Sequence, residues 1–375
     1  MNYIADVPAS DLAGKRVLVR AGLDVPLDKS GEVVDHFRIK QAAKTLQFLS
    51  TSGARTIVLS HIGRDPEATN EPVARALENE LKVSYIPDLF GVAATGAIAA
   101  MHDGDVLLLE NLRRDPREAQ NDDGFARALA ALGDLYVDDA FSVAHRAHAS
   151  IVGIPKYLPH YAGILMHDEI EILSRARHPE GPSFAILGGA KFETKSPLIQ
   201  ILLENYDHLF VTGALANDVF KAKGLPVGVS VISQELPTPK VLAHPHFLGP
   251  IDVTVERPDK QVFTKKSEAV SDDDKIVDVG PDSVALIAPY IAAAKFILWN
   301  GPTGLYEDGF VSYTHAIADL ISKSGAHSVI GGGDTIAVIE EQGTSFGPNV
   351  FLSTGGGAML EYLLSGTLPG IDALQ

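Results

Sequence analysis

The chain is 375 residues long, 46% apolar and 7% aromatic, with a formal net charge of −17 and no cysteine. Its length favours two domains over one core, and the lack of cysteine excludes disulfides, thiol nucleophiles and thiolate-bound zinc. An acidic chain repels nucleic acid and anionic membranes at long range, and no run approaches the roughly eighteen apolar residues of a spanning helix, so a cytoplasmic protein without nucleic-acid or membrane partners is expected.

The N-terminus, Met1-Asn-Tyr-Ile-Ala-Asp6, lacks the basic and apolar regions of a signal peptide. Arg16-Val-Leu-Val-Arg20 reads as a strand. Residues 38–49 carry Ile39, Ala42, Ala43, Leu46 and Leu49 at helical spacing. Strands at 56–60, 83–87, 105–110 and 135–138 alternate with helices at 38–49, 71–81 and 124–132. Such alternation predicts a doubly wound parallel sheet, whose right-handed crossovers bring the strand ends to one rim. A helix over 164–177 would link two lobes, and Pro179 and Pro182 stop it. A second alternating series runs from Phe184 to about Met359. Residues 237–276 are charged and poorly patterned, and no strand is placed within them.

In this second series an apolar run repeatedly ends in a glycine-rich turn. The turns are Phe184-Ala-Ile-Leu-Gly-Gly-Ala-Lys191, Phe296-Ile-Leu-Trp-Asn-Gly-Pro302, Val329-Ile-Gly-Gly-Gly-Asp-Thr335 and Val350-Phe-Leu-Ser-Thr-Gly-Gly-Gly-Ala358. Glycine lets backbone amides approach a phosphate, and a following helix N-terminus favours negative charge. Together the turns point to a nucleotide site at the carboxyl edge of a sheet. The plainer alternative is glycine for tight turns only. Lys191 and Lys195 fall at i and i+4 at a helix start, where cations oppose the helix dipole and bound phosphate would explain them. The Walker pattern is absent.

The first series puts basic residues at or just beyond its strand ends: Arg20, His61, Arg64, Arg113 and Arg146, with Arg38 opening a helix. Arginines gathered on one rim repel one another unless a polyanion binds there, through charge-assisted and often bidentate bonds. The alternative is scattered surface arginines paired with local acids. No spacing of histidines marks a zinc site.

These motifs, in this order, resemble the phosphoglycerate kinase family over nearly the whole chain. The resemblance rests on Arg16-Val-Leu-Val-Arg20, Ser60-His-Ile-Gly-Arg64, Leu107-Leu-Leu-Glu-Asn-Leu-Arg113, Ala144-His-Arg-Ala-His-Ala-Ser150, Leu187-Gly-Gly-Ala-Lys191, Trp299-Asn-Gly-Pro302, Gly331-Gly-Gly-Asp-Thr335 and Ser353-Thr-Gly-Gly-Gly-Ala358. It implies an α/β fold of two Rossmann-like lobes with parallel sheets, joined by a helix and closing as a hinge. Residues 1–160 would bind 3-phosphoglycerate, 161–177 would form the helix, 178–360 would bind Mg-nucleotide, and 361–375 would return to the first lobe. The implied reaction is reversible phosphoryl transfer between 1,3-bisphosphoglycerate with ADP and 3-phosphoglycerate with ATP, carried out by a monomer. Arg20, Asp24, Arg38, His61, Arg64, Arg113 and Arg146 would face the acid substrate. Lys195, Gly213, Glu307, Gly332, Gly333, Asp334 and Thr335 would hold ATP or ADP, with Asp334 on Mg²⁺. Lys191, Arg38 and the turns at Gly333 and Gly356 would meet the transferring phosphoryl group.

The chain departs from the family after its first strand. Where the family has Asp-Phe-Asn, it has Gly22-Leu23-Asp24. Alternate residues of an extended segment face one way, so Asp24 is expected to replace the missing acid as acceptor for the substrate hydroxyl. The departure also motivates a competing reading, a nucleotide-binding relative with a lost or altered acid substrate. A dinucleotide-dependent oxidoreductase is disfavoured because no G-x-G-x-x-G follows the first strand.

Overall fold

Continuous aliphatic runs become buried parallel strands in the computed structural model, which describes residues 1–375. Contacts divide the chain into two units: Met1–Glu171 with Thr367–Gln375, and Ile172–Gly366. The helix Ile164–Arg177 begins in the first and ends in the second.

The first unit holds β1 (Arg16–Ala21), β2 (Arg55–Leu59), β3 (Ser84–Ile86), β4 (Val106–Leu109), β5 (Leu135–Asp139) and β6 (His160–Ala162). They form one sheet in the order β3-β4-β2-β1-β5-β6, parallel throughout. Val17, Val19, Val58, Leu108 and Val137 from the sheet meet Ile39, Ala42, Leu46 and Leu49 of the helix Phe37–Thr51 in one core. Fully burying such a side chain contributes about 1.5–3 kcal/mol. The helix Glu71–Leu77 is shorter than expected, because the Asn79 amide donates to the Ala76 carbonyl and the Glu80 amide to the Leu77 carbonyl, i→i−3 bonds that tighten its end into turns. The three-residue strand β6 and the helix Val92–Ala99, small-sided and interrupted by Gly96, carry no periodic signal.

The C-terminal return to this unit begins at Thr367, whereas Glu361 lies in the helix Gly356–Ser365, packed on the helix Phe192–Asn205 of the second unit. Leu368, Ile371 and Leu374 are buried, and the Gly370 amide donates to the Ala144 carbonyl at 2.8 Å.

The second unit holds β7 (Ser183–Leu187), β8 (His208–Val211), β9 (Phe247–Leu248), β10 (Asp252–Glu256), β11 (Val262–Lys266), β12 (Lys275–Val279), β13 (Phe296–Asn300), β14 (His327–Gly331) and β15 (Val350–Leu352). The main sheet runs β15-β14-β13-β7-β8-β9, again parallel. Its core includes Phe184, Ile186, Phe210, Ile297 and Trp299. A three-stranded antiparallel sheet, β11-β10-β12, adds to the expected architecture and runs through the later part of the stretch that had no legible pattern. Its outer strand β11 is largely exposed and β9 has two residues, so neither produces a hydrophobic period.

Strand order reverses between β1 and β5 in the first unit and between β7 and β13 in the second. Open α/β sheets bind ligands outside the carboxyl ends of strands at such switch points. No helix is long and apolar enough to cross a membrane.

Candidate active site

In the first unit, the carboxyl ends of β1, β2 and β4 bring Arg20, Asp24, His61 and Arg113 together. Arg20, at the end of β1, is wholly buried. Its Nε donates to Ser150 Oγ at 3.0 Å, one terminal nitrogen donates to the Ala21 carbonyl, and the other reaches His61 Nδ1 at 2.7 Å. Guanidinium only donates, so Nδ1 accepts and the His61 proton sits on Nε2. Nε2 faces Asp24 Oδ2 at 3.3 Å, while Asp24 Oδ1 accepts from the Gly63 amide at 2.8 Å. Arg38 donates to the Asp24 carbonyl and Arg113 to the Gly63 carbonyl. Thus Asp24, expected to meet substrate, is also the knot that ties the turn after β2 to the turn after β1.

The electrostatics record how crowded with cations this rim is. Burial pushes His61 down to about 4, with Arg20 and Arg113 adding to it and Asp24 opposing, so the ring is neutral at pH 7. Burial and then Arg20, Arg113 and Arg146 hold His148 at about 4. Burial, Arg146 and Arg20 likewise push the Arg113 guanidinium down against Asp24. Burial alone would raise Asp24, but His61, the Gly63 amide and Arg113 hold it at about 2.

Elsewhere arginines find acids: Arg16 with Asp134, Arg55 with Asp103, Arg75 with Glu32, Arg117 with Asp115 and Arg127 with Asp123. Arg114 pairs with Glu110 at 2.8 Å. Arg64, Arg113 and Arg146 have no carboxylate within ion-pair distance, and Arg64 and Arg146 are exposed. The reading of surface arginines paired with local acids therefore fails at this rim. Sequence reasoning missed Glu118, a buried acid that accepts from the Ser150 amide and hydroxyl and faces His148 Nδ1 at 3.8 Å. Burial raises its pKa against Arg20 and Ser150. A lone Glu beyond the strand ends, in a polar loop, gave no signal.

In the second unit the glycine turns meet at the β7–β13 switch point. A Cβ on Gly188 would lie 2.5 Å from the Pro302 carbonyl oxygen, and one on Gly301 2.6 Å from the Gly188 carbonyl carbon. A Cβ on Gly213 would lie 3.0 Å from the Gly189 nitrogen. Gly188, Gly301 and Gly213 are therefore required by turn-on-turn packing, whatever else they do. A Cβ on Gly356 would be 3.4 Å from Gly332 Cα, so the last two turns also abut, but with ordinary contact. Thr335, expected to touch nucleotide, is buried, and its hydroxyl accepts from the Gly301 amide at 3.0 Å.

Beside these turns lies a cavity of about 360 Å³ lined by Gly189, Gly213, Val231, Val253, Ile276, Val277, Asp278, Leu305, Tyr306, Glu307 and Asp334. Its floor is aliphatic and its acids are few, the character of a small-molecule pocket. Tyr306 faces Asp334 and Glu307, and burial and then those acids raise its pKa. Asp278 is buried under Gly304, where burial pushes its carboxyl up to about 7. Neither Tyr306 nor Asp278 was singled out from sequence. Asn300, read from sequence only as part of the turn Trp299-Asn-Gly-Pro302, ends β13, and its Nδ2 is buried without a partner between the turns.

Lys191 and Glu307 are exposed, and Asp334 is exposed in the first turn of the helix Gly333–Gln342. Lys195 is partly buried, its Cε 3.9 Å from where a Gly189 Cβ would stand, and it has no ion-pair partner. Burial pushes its pKa down. An ammonium buried without a carboxylate fits an anion at this turn. No group of three or more ligating side chains forms a metal cage.

Two units, each built on a parallel sheet with polar and charged groups gathered outside the carboxyl ends of the strands, define a class of two-unit α/β proteins that bind ligands at topological switch points. A family model described as phosphoglycerate kinase matches residues 4–366. The chain belongs to the phosphoglycerate kinase family. It is 42% identical to the phosphoglycerate kinase of Desulfosudis oleivorans over 97% of each chain. It is 41% identical to that of Thermosynechococcus vestitus over 99% of this chain and 98% of the relative. Among solved structures, phosphoglycerate kinase from Coxiella burnetii aligns with a TM-score of 0.81 at 36% identity, covering 99% of this chain and 98% of that one. The enzyme from Pyrococcus horikoshii aligns with a TM-score of 0.89 at 29% identity, covering 100% and 98%.

Proposed function

We propose that the protein transfers the acyl phosphate of 1,3-bisphosphoglycerate to MgADP, reversibly, giving 3-phosphoglycerate and MgATP, as a cytoplasmic monomer. The first unit binds the acid substrate and the second the nucleotide. The observation that carries the assignment is the set of arginines at one rim, Arg64, Arg113 and Arg146, left without acids in a chain of net charge −17. With Arg38 they supply the donors that a phosphate and a carboxylate require. Arg20 and His61 are consumed by internal bonds, so their part is to fix the rim, to which Arg20 alone lends charge.

The cavity takes the nucleotide base on its aliphatic floor, with Gly213 at its edge and Glu307 at its mouth for the ribose. Lys195, the turn Gly332-Gly333-Asp334-Thr335 and the orphan Asn300 amide hold the phosphates. Asp334 suits Mg²⁺: it is an exposed hard-oxygen ligand, and with no protein cage present the phosphates would complete the coordination. When bound, Mg²⁺ neutralises phosphate charge.

A phosphoryl group in transfer carries charge on its three equatorial oxygens, so catalysis is positioning and neutralisation. Lys191, Arg38 and the turns at Gly333 and Gly356 supply that positive field. No general base is needed, because the acceptor is a carboxylate or a nucleotide phosphate. A coupled assay with 3-phosphoglycerate, ATP and Mg²⁺ tests the proposal. Turnover should require all three, and Arg113→Ala should raise KM for 3-phosphoglycerate about tenfold to a hundredfold while leaving KM for ATP alone. No turnover with this acid, or an equal rise in both constants, would reject the assignment.

A further inference from the structure

Lys191 is held in an unusual backbone state. It caps the helix Phe192–Asn205 with φ 67° and ψ 84°, in the left-handed region, and makes no side-chain cap of its own. A non-glycine residue there is strained and persists only where its surroundings over-determine it. Those surroundings come from far along the chain. The first helical amide, Phe192 N–H, donates to Ser233 Oγ at 2.8 Å. Ser233 Oγ donates its single proton to Asp218 Oδ2 at 2.8 Å, and the Ser233 amide donates to Asp218 Oδ1 at 2.7 Å. Asp218 is wholly buried on the helix Ala214–Ala222, and its neighbour Asn217 donates to the Val231 carbonyl at 3.0 Å.

The direction of these bonds matters. The hydroxyl directs its one O–H at the carboxylate, so the lone pairs of Ser233 Oγ are left to accept from the Phe192 amide. The preceding Val229, Val231 and Ile232 are exposed apolar residues, so polar bonds hold the segment: the Val229 amide donates to the Asp274 carbonyl at 2.9 Å and the Ile276 amide to Ser230 Oγ at 2.8 Å, beside the bonds to Asn217 and Asp218. Ser233 itself passes the restraint of the helix Ala214–Ala222 to the start of the helix Phe192–Asn205.

We propose that Asp218 and Ser233 are positioning residues for Lys191, clamping the left-handed turn so that its ammonium meets the transferring phosphoryl group. The proposal rests on the reading of Lys191 as the transfer lysine. Misplacing a reacting group by about 1 Å can cost about a hundredfold in rate. The test is steady-state kinetics on Ser233→Ala, Ser233→Thr and Asp218→Asn, each alone and combined with Lys191→Ala. Asp218→Asn keeps shape but leaves the serine proton without its carboxylate, so it replaces Ser233→Ala in the cycle if the latter does not fold. Expected are a kcat fall of tenfold or more with both KM values within twofold, recovery in Ser233→Thr, and no further fall when the Lys191→Ala background carries the same change. If Lys191→Ala lowers kcat but the clamp variants do not, or if their effects multiply independently, the clamp idea is overturned and the transfer-lysine reading stands. If Lys191→Ala leaves kcat unchanged, the reading itself falls, and the clamp with it.

Discussion

At Asp24 an acid stands beside the cations Arg38 and Arg113, which the proposed function gives to an anion. Its oxygens meet Gly63 and His61, so it serves the protein first, though its side chain stays about a third exposed, at 35%. Asp24→Ala should raise KM for 3-phosphoglycerate about ten- to a hundredfold, the worth of a charged hydrogen bond, and leave KM for ATP unchanged. Asp24→Asn keeps the oxygen that holds Gly63 and should be milder. Tighter binding in Asp24→Ala would mean the acid is only repulsive. Restoring an acid at position 22 is not a simple reversal, because a Cβ on buried Gly22 would sit 3.1 Å from Ser142 Oγ and 3.5 Å from Ala140 Cα. Asp138 supports a second prediction. It is fully buried at the end of β5, accepts from the Ala140 amide with one oxygen and has no partner for the other; burial raises its pKa to about 7 despite that amide and Arg20. A folded-state pKa above the unfolded value means the folded chain holds the extra proton, so this stability is full below about pH 4 and lost as pH rises through 7. The change in Tm produced by Asp138→Asn should therefore be more favourable at pH 8 than at pH 5. Parallel melting curves for parent and variant across that range would refute it.

At the scale of elements, the glycine turns divide into two kinds. Those at Gly188, Gly213 and Gly301 pack backbone on backbone, and Trp299 Nε1 fastens the β13 turn by donating to the Gly301 carbonyl at 2.8 Å. Gly301 has φ 95°, so Gly301→Ala combines a forbidden conformation with overpacking and should cost at least about 1–3 kcal/mol, visible as a lower Tm without any ligand. Gly356→Ala meets only ordinary contact and should leave the Tm nearly unchanged while weakening MgATP affinity. If both variants lose stability alike, Gly356 belongs with the packing glycines. Phosphate approach and close turn packing both select glycine, and a sequence cannot tell them apart.

For the molecule as a whole, the proposal assigns one ligand to each contact unit. Hydrogen exchange tests this directly. Added 3-phosphoglycerate should slow exchange around residues 20–24, 61–64, 111–114 and 144–150. MgADP should instead slow 188–195, 213–217, 275–279, 301–307 and 331–336. A ligand that binds only the folded state at a hundred times its Kd adds about 2.7 kcal/mol, enough to read by exchange or melting. Protection of the first set by MgADP alone would contradict the assignment. The C-terminal return also matters here: Gly370 lies against Ala144 and Ile151, so Leu368, Ile371 and Leu374 support the stretch that carries Arg146.

The parallel sheets were legible because a strand buried on both faces must be a continuous apolar run, as in β1, β7 and β13, and the linking helix because its boundaries carry stop signals. The rim arginines and glycine turns were legible as types, since charge and backbone freedom are properties of single residues. Only the tertiary structure decided which of them are free: Arg113 and Arg146 have no acid partner while Arg16 and Arg55 do, and nothing in a local sequence states that Asp134 or Asp103 will arrive from far along the chain. Likewise β9, β10 and β11 take their form from pairing and exposure rather than from pattern. The bonds that join Phe192 to Ser233 and Ser233 to Asp218 link short polar residues of ordinary loops and helices, and only the folded chain brings them to one point.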